Sequence, residues 1–267
     1  MRITALLAAL FISSLAAQPV GSRLARLIPP DSSFVYSINL ERYADSALQA
    51  LYPIEGEGSG LCLHQPQRIT VAERASGERL AILSGCLPSD QTKLTVLEAG
   101  TAIFGDSANV EAAIQRWRHS GDSGASSLEA KVRRLVERYD NWMIAVRPLH
   151  TEAEDPVTAP RRSYRSQVMD AVEEVRGGIR LGSVNQVEVE VTMKTVEDAM
   201  AAAGLGRWLR GFVQSARGGS EAVVAEVAEG LNVTAVGNTV LLSFLIDSAK
   251  LLALVEEQRA KDEVHER

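Results

Sequence analysis

The chain has 267 residues, 46% of them hydrophobic and 23% charged, with a formal net charge of −6. That much apolar side chain supports a packed core and argues against intrinsic disorder. The acidic balance makes nucleic acid a poor partner and gives no general attraction to anionic lipid.

The chain opens on an address. Met1-Arg2 supplies a one-charge start, and residues 3–15 are apolar but for Thr4, Ser13 and Ser14. Ser14-Leu15-Ala16 is a small-x-small pattern that a signal peptidase accepts, with Ala17 as the neighbouring cut point. Residues 1–17 are too short to cross a bilayer and read as a cleaved export signal. The mature protein is therefore expected to be periplasmic or secreted. No cysteine stands directly behind the leader to take a lipid.

An N-terminal α+β lobe is expected over residues 23–147. Phe34, Tyr36, Ile38 and Leu40 alternate with Val35, Ser37 and Asn39, an opening strand before a helix over residues 42–51. Cys62 and Cys86 are an even pair in an exported chain, so a disulfide is expected, with two buried free thiols as the alternative. Closing a loop of about 25 residues stabilises a fold by roughly 3 kcal/mol in the chain-entropy picture. Residues 94–97 and 101–104 form a hairpin about Ala99-Gly100, and Asp106-Ser107-Ala108 then opens a helix with Val110, Ala113, Ile114 and Trp117 on one stripe. Ser126-Ser127-Leu128-Glu129 is a capping box, Leu128, Val132, Leu135, Val136 and Tyr139 mark one buried side, and residues 141–146 are an apolar strand.

Residues 148–162 hold three prolines and Glu152, Glu154 and Asp155, so they read as a linker. A C-terminal α+β lobe follows over residues 163–258, and residues 259–267 are a charged tail. Two further strand-turn-strand-helix units appear here. One turns at residues 182–185, with Val187, Val189 and Val191 opposite Glu188 and Glu190. The other turns at Gly237-Asn238 and meets Asp247-Ser248-Ala249, the same Asp-Ser-Ala helix start as at residue 106. The expected fold class is α+β: antiparallel sheets built from repeated strand-turn-strand-helix units, with helices on one face. Two sheets or one continuous sheet satisfy the pattern equally.

Four segments invite a chemical reading. Gly121-Asp122-Ser123-Gly124 matches the nucleophile motif of chymotrypsin-like proteases, and His64 with Asp90 or Asp106 precedes it in the same order. The flanking capping box and helix fit a connector instead, which leaves a Ser123/His64 hydrolase as an alternative only. His150, Glu152, Glu154 and Asp155 lack the spacing of a calcium loop and read as solvated linker, so no metal is expected. Asn232-Val233-Thr234 is a glycosylation acceptor that falls inside a strand.

The fourth segment is residues 206–217. Arg207, Trp208, Arg210 and Phe212 make a basic amphipathic helix, the first surface to test for a protein, small-molecule or membrane contact. The simpler expectation is that its aromatic side packs on the sheet and its arginines stay in water. No phosphate cradle, paired-carboxylate helix or Cys/His array occurs, so no cofactor and no catalytic residue is assigned.

Leu27-Ile28-Pro29-Pro30-Asp31-Ser32-Ser33-Phe34-Val35 behind an export leader, with the unit around Phe104-Gly105-Asp106, resembles certain uncharacterised bacterial exported proteins. That family has no established activity, so the resemblance implies only an envelope setting. The sequence thus reads as a non-enzymatic binding or scaffold protein of the bacterial envelope.

Overall fold

The computed structural model describes residues 20–44, 46, 49, 68–85, 94–98, 100–119, 126–146, 170–215, 230–250 and 252–253. The leader, Cys62, Cys86 and the linker at 148–162 lie outside these.

Among the described residues ten strands form one sheet: β1 Ser32–Asn39, β2 Arg68–Arg74, β3 Arg79–Ser84, β4 Thr95–Glu98, β5 Thr101–Gly105, β6 Asn141–Val146, β7 Val172–Arg180, β8 Val184–Met193, β9 Asn232–Val236 and β10 Thr239–Asp247. Their order is β4-β5-β3-β2-β1-β6-β7-β8-β10-β9, and every neighbouring pair is antiparallel. The pairing of β6 with β7, from Asn141↔Ile179 to Val146↔Glu174, joins the two halves of the chain into one sheet. Of the two arrangements left open by the sequence, the single continuous sheet is the one present.

Helix α1 Val20–Leu27 packs against both α3 Ser107–Arg118 and α4 Ser127–Arg138, a short α2 Leu40–Ala44 follows β1, and α5 Val196–Ser215 lies beside β8, β9 and β10. The registers show which face each helix covers. Directly paired residues share a face. Ala72, Val35 and Ile144 are paired in turn, and all three belong to the core under α1, α3 and α4. Ala145, Val175, Val191 and Val240 are paired in the next row, and the last three pack in the core under α5. Consecutive strand residues point to opposite faces. The helices thus cover opposite faces of the sheet at its two ends, not one face throughout.

That arrangement changes which strand residues are core. In β1 the helix side takes Val35 and Ser37, each 1% exposed, whereas Phe34, Tyr36 and Ile38 are half-buried on the other side. Buried Ser37 is tolerable because its hydroxyl is bonded: Thr70 Oγ1 donates to it at 2.9 Å and Arg68 Nη1 at 3.2 Å. Unforeseen from the sequence, α1 buries Leu24, Ala25 and Leu27 against the helical layer.

Helix starts follow local chemistry, with one exception. Ser126 Oγ accepts the Glu129 N–H at 3.1 Å, and Asp247 Oδ1 accepts the Lys250 N–H at 3.0 Å. Asp106 sits at the start of α3 but makes no such cap; its Oδ2 accepts the Arg79 N–H at 2.6 Å and ties the helix to β3.

Among the described residues Asn109, Arg133 Nε and Trp142 Nε1 are buried without a hydrogen-bond partner, and only Asn109 is left with both of its polar atoms unmet. Asn109, 1% exposed on α3, has no hydrogen-bond partner for Oδ1 or Nδ2. A buried unpaired amide costs about 1–3 kcal/mol. Asn109→Leu keeps the branching and removes both polar atoms, so it is expected to raise the unfolding free energy by about 1–2 kcal/mol. A lower melting temperature for that variant would show that the amide has a partner, such as an internal water.

Candidate functional site

The helix proposed as a contact surface is α5, and its described residues place small side chains against the sheet and Trp208 outside. Ala199 and Ala203 are fully buried, and Ala202 packs in the same cluster. Gly206 continues that small side: a Cβ there would lie 3.1 Å from Val233 Cγ1. Small residues on the sheet side let a helix approach the sheet closely. Trp208 faces outward at 62% exposure, with Met200 at 63% and Val196 also exposed. These positions fall on one flank of a helix with 3.6 residues per turn. Phe212 belongs to the same helix, but its side chain is not among the described ones.

The arginines also depart from expectation. Arg210 Nη1 donates to Leu231 O at 2.9 Å, and Arg207 Nη1 donates to Val233 O at 3.4 Å. They are tied to the sheet beside the helix rather than left wholly to water. The arrangement therefore offers an apolar ridge from Val196 through Met200 to Trp208, next to anchored cations. Such a ridge can bury against a partner; it holds no nucleophile or base.

The densest polar constellation lies elsewhere, between α4 and the strands β7 and β8. Lys131 pairs with Glu174, and Arg138 pairs with Glu188. Arg176 donates to Glu190 through Nη2 at 2.6 Å and Nε at 2.9 Å, and lies 3.5 Å from Glu174. Tyr139 donates its hydroxyl to Glu188 at 2.6 Å, and burial, then that carboxylate, pushes the phenol pKa up, so it stays protonated. Gly178 makes room for the ring, since a Cβ there would lie 2.5 Å from Tyr139 Cγ.

Glu188 and Glu190, which strand alternation places opposite the valines, thus meet cations beneath and beside α4. Each carboxylate is engaged, so the group acts as a clamp across the middle of the sheet. Single-sequence reasoning missed it because Lys131 and Arg138 lie 43 and 50 positions from Glu174 and Glu188, and Arg176 lies 14 from Glu190. The Glu/Val alternation of β8 was the available signal.

The remaining sequence candidates separate. Ser123, His64, Asp90, His150, Glu152, Glu154 and Asp155 lie outside the described residues. Asp106, the other triad candidate, is committed to the Arg79 amide. Asn232 is exposed in β9. Among the described residues no group of three or more His, Cys, Asp or Glu side chains could hold a metal, and no helix is long and apolar enough to cross a membrane.

No protein-family model matches the chain, and no curated protein matches it. Among solved structures it is similar to one titled "Structure of crystal form I of TP0453", at 8% identity and a TM-score of 0.45, over 90% of this chain and 99% of that one. The likeness is too slight to carry a residue or an activity across.

Proposed function

We propose that this chain is an exported, non-enzymatic binding or scaffold protein of the bacterial envelope, and that its contact surface is the outer flank of α5. The observation that carries this reading is the exposure of Trp208 and Met200 on a helix that packs on the sheet through Ala199, Ala202 and Ala203. Tryptophan is among the commonest anchors of protein interfaces because a large rigid ring is buried at little entropic cost. The export leader at residues 1–17 supports an envelope setting.

A photo-cross-linking amino acid at position 208 in the native host tests both parts. Discrete protein adducts in the envelope fraction are expected, and the same probe at exposed Arg79 on the far half of the sheet should give none of them. Adducts to lipid alone would reassign α5 to a membrane surface. No adduct at all, or a cytosolic protein that retains its leader, would overturn the reading.

A further inference from the structure

Among the described strands β9 is outermost, hydrogen-bonded on one side only, to β10. Val236 and Thr239 are paired across the two-residue turn Gly237-Asn238. A two-residue hairpin makes its closing pair one that exchanges both ladder bonds. Alternation then commits Thr234 and Asn232 to β10, and turns the carbonyls of Leu231, Val233 and Ala235 toward the open edge. Two of these three carbonyls are the ones held by Arg210 and Arg207.

The two sheet edges are protected differently. At the far edge β4 has four residues, an irregular register, and Glu98 paired with Arg23. A short, bulged, charged strand resists pairing by itself. β9 has none of these defences: Asn232-Val233-Thr234-Ala235-Val236 is regular, uncharged and rich in β-branched residues. Such an edge invites another strand.

We propose that Arg207 and Arg210 form a strap that keeps β9 closed to strand addition, and that releasing it lets the chain pair through β9 with a second copy of itself. The occupant follows from the strand. β9 itself carries no charge, so once Arg207 and Arg210 are withdrawn its antiparallel pairing with its own copy about a two-fold axis brings no like charges of the strand together, and Val236, at 64% exposure, adds apolar area to the same interface. This inference concerns the sheet edge and stands apart from the partner proposed for the outer flank of α5.

Sedimentation velocity on the mature chain and on Arg207→Ala/Arg210→Ala tests it. Removing each arginine should strengthen self-association by about tenfold, the equivalent of one charged hydrogen bond to a carbonyl. Adding Ala235→Pro, which deletes an outward N–H and leaves the β10 ladder intact, should return the double variant to monomer. If the alanine pair does not fold, Arg207→Met/Arg210→Met keeps the aliphatic stems and is measured in its place. A folded double variant that associates no more than the parent overturns the proposal. So does association that Ala235→Pro fails to reverse.

Discussion

Ile144→Ala is expected to lower the unfolding free energy by about 3–4 kcal/mol, and to lower it for both halves of the sheet together. Ile144 is completely buried in β6, with β1 on one side and β7 on the other. Its pairing partners are Val35, in the core under α1, α3 and α4, and Arg176, in the ion-pair clamp. Truncation removes three carbons' worth of packing from a site whose neighbours are held by ladder bonds and cannot close the void. Hydrogen exchange followed by mass spectrometry is the suitable readout, because it reports strands separately. Amides of β1–β3 and of β8–β10 should lose protection by the same free energy. Loss confined to β1–β3 would mean that the β6–β7 pairing does not couple the halves.

Arg176→Met is the second large effect, a destabilisation of about 3 kcal/mol by chemical denaturation. The side chain of Glu174 is only 9% exposed, and Arg176 is one of its two cationic neighbours, with Lys131 the other. Methionine fills a similar length but leaves Glu174 and Glu190 with one positive charge fewer between them. Losing one member of a buried pair costs more than the pair itself is worth, because the survivor stays desolvated. The figure is taken at the low end of that range because Arg176 and Glu190 retain partial solvent contact. Arg176→Met combined with Glu190→Leu should recover part of the loss by removing the stranded carboxylate. A double variant less stable than the single one would show that Glu190 is held by other groups, with Arg138 the nearest.

The two variants probe what sequence could and could not reveal. Elements fixed by near neighbours were legible. Ser126 and Glu129 are three residues apart and meet as a cap, and Val187, Val189 and Val191 alternate with glutamates as any half-buried strand must. Trp208 and Arg210 misled for the same local reason. Helical spacing groups the aromatics and separates the arginines, but it cannot say which flank meets the sheet. Ala199, Ala203 and Gly206 decided that by allowing close approach on their side.

By itself, the sequence determined an α+β composition, the hairpins and the starts of α3 and α4, all set by interactions within a few residues. Only the tertiary structure decided that one sheet runs through both halves, that helices cover opposite faces of it, that the glutamates of β8 meet cations from α4 and β7, and that two arginines of α5 hold the β9 edge. Those outcomes depend on pairings between residues tens of positions apart. Their energies come from burial and hydrogen bonding that exist only once the strands are in register.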